Sequence, residues 1–103
     1  MAGTKTDITL NNSASNNIQE ADVTFGEYVL FNPPCSIGKG YGATYVDYPY
    51  LSGTNADVEW ISKGTKFKKT VDFEKVMPKS KSGLLTFTIC DDRVEVRFKP
   101  EKP

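Results

Sequence analysis

Apolar and polar residues alternate most regularly in the second half of the chain. Ala56, Val58 and Trp60 alternate with Asp57 and Glu59, and Phe67, Val71 and Phe73 share a face opposite Lys66, Lys68, Thr70 and Asp72. Leu85, Phe87 and Ile89 alternate with Thr86 and Thr88. Val94, Val96 and Phe98 alternate with Arg93, Glu95, Arg97 and Lys99. A period of two over four such runs predicts four strands, each with one buried and one wet face. Lys63-Gly64 and Asp91-Asp92 predict tight reversals that join these strands as two sequence-local hairpins. Val58, Trp60, Phe67, Val71, Phe87, Ile89, Val94, Val96 and Phe98 are the expected core.

The first half carries a weaker β signal. Val23 and Phe25 alternate with polar neighbours, Gly26 predicts a bend, and Tyr28 to Phe31 is a continuous apolar run. Asn32-Pro33-Pro34 ends that run, because proline cannot donate to a ladder. Residues 35–42 read as a flexible loop, Ala43 to Tyr48 as a strand stopped by Pro49, and Ser52 to Asn55 as a turn. No segment holds a helical period over ten residues, and only Phe73 to Met77, closed by Pro78, suits a single helical turn. About six to seven short strands with Gly, Pro and Asp turns predict an all-β fold, an antiparallel β-sandwich or small barrel. Residues 1–19 are rich in Asn and Ser and offer no periodic apolar face. They read as an arm, flexible or ordered by a partner, ahead of a single β domain at 20–103. Ile8 and Leu10 are the arm's strand-spaced apolar pair and its expected anchors on a neighbour.

Composition narrows the chemistry. The chain has 103 residues, 38% hydrophobic and 12% aromatic, which allows one small core. A chain of this size buries only about two-thirds of its unfolded surface, so a partner, an assembly or a disulfide is expected to support it. It has no His, which removes His-based triads and zinc sites and the commonest general base. No apolar run is long enough to span a membrane. Met1 to Asn17 lacks a signal-peptide pattern, which predicts a cytoplasmic or virion protein, or alternatively an extracellular one in mature form. The net charge is zero, which argues against nucleic acid as a partner. Residues 1–62 carry two basic against seven acidic side chains, net −5, and residues 63–103 eleven against six, net +5. Two halves of opposite sign suit packing between copies.

Cys35 and Cys90 form either a disulfide, stabilising by up to about 4 kcal/mol through loop entropy, or two free thiols in a reducing compartment. Neither has a His or helix N-terminus beside it to generate a thiolate. Gly38-Lys39-Gly40-Tyr41-Gly42 lacks the following helix that a phosphate cradle needs, so it reads as a mobile loop. Tyr41, Tyr48 and Tyr50 beside turn residues suit a recognition surface, whereas Tyr28 and Tyr45 read as covers for the core edge. Lys66 and Lys68 sit among seven lysines between Lys63 and Lys81, and they suit either an acidic partner or an edge strand protected by charge. Asp91-Asp92 reads as a turn, and no residues are assigned to catalysis, a cofactor or a metal. Two functional readings stand. One is a non-enzymatic structural or assembly protein, such as a small virion or phage-particle subunit, whose partners include other copies of itself. The other is a secreted or surface module or inhibitor that binds protein or carbohydrate through the Cys35–Tyr50 region.

Overall fold

The computed structural model describes residues 6–48, 53–77 and 82–100. These form nine strands in chain order: β1 (Thr6–Asn12), β2 (Ile18–Phe25), β3 (Tyr28–Val29), β4 (Cys35–Ile37), β5 (Gly42–Tyr48), β6 (Asn55–Ser62), β7 (Thr65–Asp72), β8 (Gly83–Cys90) and β9 (Arg93–Pro100). A single 3₁₀ turn, Glu74–Val76, follows β7 at the place where the sequence suits one. The strands build a β-sandwich. One sheet has the order β5-β1-β8-β9, and the other β3-β2-β6-β7, with β4 also pairing β2. The β4 strand lies beside β5 and β7 beside β9, so β3, β4 and β5 share one side of the sandwich and the β7 and β9 edges share the other.

Both expected hairpins form. β6 pairs β7 antiparallel from Asn55↔Asp72 to Ser62↔Thr65, and β8 pairs β9 from Gly83↔Pro100 to Cys90↔Arg93. Lys63 and Gly64 both take positive φ, 50° and 78°, the backbone of a two-residue turn whose twist matches the strands it joins. Val58, Trp60, Phe87 and Ile89 are fully buried. Phe67, Val71, Val94, Val96 and Phe98 are only partly buried, because β7 and β9 are edge strands with solvent along one side.

Residues 6–19 are not an arm. β1 lies inside its own sheet, antiparallel to β5 and parallel to β8, with Leu10 opposite both Ala43 and Phe87. Thr6, Ile8, Leu10 and Asn12 all point inward and are buried. The Asn-rich stretch that follows works as a clasp. Asn12 donates through Nδ2 to the carbonyls of Asn16 (2.9 Å) and Ile37 (3.0 Å), and its Oδ1 accepts the Ala14 N–H at 2.9 Å. Asn17 Oδ1 accepts the Lys39 N–H at 2.8 Å, and the Asp91 carboxylate accepts both the N–H and the hydroxyl of Ser15. Asparagine-rich sequence thus ties the β1–β2 turn to two other loops, by side chains that take the place of ladder bonds.

The remaining core residues meet around Phe25. Its ring packs against Tyr48, Phe73 and Phe87 at centroid separations of 5.5, 5.6 and 6.0 Å. Trp60 stacks on Phe67 at 5.2 Å. An extra residue in β2, between the Gln19↔Ile61 and Asp22↔Glu59 pairs, bulges at Glu20, whose φ is 47°. The bulge resets the alternation, so Ile18 and Ala21 both face inward although they are three apart.

Candidate functional site

The same device shapes β5. Between the pairs Thr6↔Tyr48 and Ile8↔Tyr45, β5 holds one residue more than β1, which places Tyr45 and Tyr48 on one face with ring centroids 5.1 Å apart. Tyr48, expected on a recognition surface, is only 3% exposed and belongs to the core. Tyr45, expected at the core edge, remains 39% exposed. The bulged Val46 is pushed into solvent and is 64% exposed. Tyr41 is the most open of these aromatics at 73%, and its ring lies against Gly38, where a Cβ would stand 3.2 Å from Cδ2. Gly38 therefore lets the ring lie flat on the loop. The backbone beneath is fixed, with the Asn12 N–H donating to the Tyr41 carbonyl and the Gly40 N–H to the Asn12 carbonyl. The loop is thus anchored to the end of β1, in place of the free segment the glycines suggest. Tyr50 lies outside the described residues.

Tyr28 and Val29 are exposed on β3, opposite Phe25 and Thr24. They share a side of the sandwich with β5. That side therefore presents Tyr28, Val29, Tyr41, Tyr45 and Val46, and the exposed edge strand β5 contains no Lys, Arg or Pro.

The opposite side is built differently. Lys66 pairs with Glu59 at 3.8 Å, and Lys68 stands directly across from Glu59 in the ladder. Both are exposed, and the charge of Lys66 is shared with a carboxylate of its own chain. Lys69 has the core-facing parity of Phe67 and Val71, opposite the buried Val58, yet it reaches solvent. A charged side chain that points inward on an edge strand blocks pairing with another sheet. Ile8 and Leu10, the expected anchors on a neighbour, are buried in their own domain and touch no such surface. Cys35, on β4, and Cys90, at the end of β8, stand in different sheets as free thiols. Burial, and secondarily the charge of Asp22, pushes the Cys35 thiol up, which makes it a poorer nucleophile than an ordinary cysteine.

Asp22 escaped the sequence reading. It is buried on β2, and its Oδ1 accepts the N–H groups of Val23 (2.7 Å) and Phe31 (2.9 Å). It thereby pins the β3–β4 connection to the sheet. Burial is the main cause that raises its carboxyl above the ordinary range, the two N–H bonds oppose it, and Glu59 adds to it. Between the ordinary Asp value and the raised one, the folded chain keeps a proton that the unfolded chain has released. The contribution of Asp22 to stability is thus full below that window and declines as pH rises through it. Asp91 has the opposite sign. Its bonds from Ser15 hold its carboxyl low, so its contribution is present above the ordinary value and fades as pH falls. Asp22→Asn, which keeps an acceptor for both N–H groups, is expected to flatten the loss of Tm as pH rises above the ordinary carboxylate range. Asp22→Ala leaves both donors unmet and is expected to cost about 2–4 kcal/mol. Thermal melts of the two variants from that range upward check this, and a wild-type slope retained in Asp22→Asn would refute it.

No group of three or more His, Cys, Asp or Glu side chains with metal-binding geometry exists among the described residues. In comparison with known proteins, no family model, no curated protein and no solved structure matches the chain.

Proposed function

We propose that the chain is a non-enzymatic assembly subunit whose copies associate through the β5 edge. The observation that supports this is the contrast between the two sides of the sandwich. β7 and β9 carry Lys66, Lys68, Lys69, Arg97 and Lys99 along their exposed edges, whereas β5 carries exposed Thr44, Tyr45 and Val46 without a basic residue or proline. An edge strand left open in this way offers unpaired backbone N–H and C=O groups to a strand of another chain, and exposed Tyr and Val add area to the contact. Antiparallel pairing of β5 with β5 of a second copy would extend each four-stranded sheet across a twofold axis.

Sedimentation against concentration, with and without reductant, tests the reading. The mass should rise with concentration in both conditions, because neither free thiol is needed. Val46→Lys changes an exposed position, so it should fold as the parent does and remain monomeric. A parent chain that stays monomeric throughout overturns assembly. A second reading would then be favoured by Tyr41: a module that takes an extended peptide of another protein along the same edge.

A further inference from the structure

We propose that the outer face of the β5-β1-β8-β9 sheet is a binding groove for an acidic glycan, a saccharide chain bearing sulfate or carboxylate groups. A groove of about 570 Å³ crosses β1, β8 and β9 there. Its size falls within the roughly 300–1,000 Å³ of small-ligand clefts. The ladder registers set its chemistry. Thr88 stands between Asn11 on β1 and Glu95 on β9, and Thr86 stands opposite Arg97. Hydroxyl, amide and carboxylate groups in one row both donate to and accept from sugar hydroxyls.

The charge in the groove is graded. Arg93 binds Glu95 at 3.3 Å. Arg97 and Lys99 have no acidic partner among the described residues, in contrast with Lys66 on the other sheet, which has Glu59. The two cations stand on the same face of β9, two positions apart, at one end of a row of hydroxyls, with Asp7 of β1 on that face across Leu84 from Lys99. The guanidinium of Arg97 can hold a planar carboxylate, or two oxygens of a sulfate, in a fork. A ligand that carries both an oxyanion and several hydroxyls satisfies the whole groove. A free anion would satisfy only the Arg97–Lys99 end, and a neutral saccharide only the Asn11–Thr88–Glu95 end. The groove uses no residue of the β5 edge, so it stands or falls independently of assembly.

The full chain is titrated with a heparin-derived oligosaccharide, the same oligosaccharide after desulfation and N-acetylation, and inorganic sulfate, with backbone amide shifts and calorimetry as readouts. The sulfated oligosaccharide should shift amides within residues 84–90 and 95–99. Arg97→Gln should weaken it about tenfold, the loss of one charge-assisted hydrogen bond. Thr88→Val should weaken it about threefold, the loss of one neutral hydrogen bond. Lys66→Gln, on the other sheet, should leave the affinity unchanged. Arg97 and Lys66 are exposed, so unchanged amide positions elsewhere will show that the fold is retained. The proposal is overturned by an absence of shifts on β8 and β9, or by an equal loss in Lys66→Gln, which would mean unspecific attraction. It is also overturned if inorganic sulfate or the desulfated chain binds as tightly as the sulfated oligosaccharide.

Discussion

Removal of residues 1–12 is expected to leave a chain that does not fold. β1 holds two ladders at once, with β5 on one side and β8 on the other, so its loss separates β5 from the sheet and opens the flank of β8. It also removes Ile8 and Leu10, both fully buried, and Asn12, which bonds the Asn16 and Ile37 carbonyls. Truncation of one such aliphatic side chain costs about 2–5 kcal/mol, against a total stability of about 5–15 kcal/mol for a domain. Leu10→Ala alone should therefore lower the urea midpoint sharply. The truncated chain should lose the far-ultraviolet β signal and cooperative melting. A truncated protein that still melts cooperatively would show that β1 is dispensable, and the peripheral arm expected from sequence would have to be reinstated.

The reason β1 was hidden lies in its inward residues. Its buried face is Thr6, Ile8, Leu10 and Asn12, so half of the positions a pattern reading needs to be apolar are polar. Asn12 can be buried only because three hydrogen bonds satisfy its amide, and those partners come from the turn at 14–16 and from β4. Its sheet partner β8 lies more than seventy residues away and runs parallel, which no local pattern announces. β6 to β9 were legible for the opposite reasons. Their buried positions are apolar, their partners adjoin them in sequence, and Lys63-Gly64 and Asp91-Asp92 mark the reversals.

The surface was legible in composition but not in placement. Tyrosines at 41, 45 and 48 pointed to one region, but the bulge in β5 decided which of them reached solvent, turning Tyr48 inward and Val46 outward. A bulge of this kind has no signature in Tyr45-Val46-Asp47-Tyr48, because it arises from the register against β1. Lys66 and Lys68 were legible as an exposed face, and both lie on β7, an edge strand of its sheet. The burial of Asp22 had no signal either. An aspartate on the polar side of a strand reads as wet, and only the return of the chain at Phe31 covers it.

Trp60→Ala is the side-chain substitution expected to cost most, about 3–5 kcal/mol. Trp60 heads the largest fully buried side chains, it lies on β6 next to the edge strand β7, and its ring stacks on Phe67 with planes 13° apart. Alanine would remove that stack and leave a void under β7, whose own inward residues, Phe67 and Val71, are only partly buried and cannot close it. β7 should therefore loosen first, with amide exchange at Phe67 to Val71 rising before the rest of the chain unfolds. Trp60→Phe separates ring area from the polar atom. The Trp60 indole N–H is buried without a hydrogen-bond partner among the described residues. A buried donor left unmet costs about 1–3 kcal/mol, which phenylalanine does not incur. The smaller ring gives up packing, but this relief offsets much of the loss, so Trp60→Phe should lie within about 1.5 kcal/mol of the parent. Denaturant unfolding of the two variants decides the matter. If Trp60→Phe proves as damaging as Trp60→Ala, the indole N–H has a partner that stabilises the fold. If Trp60→Ala proves mild, β7 contributes little to the core and the second sheet rests on β2 and β6.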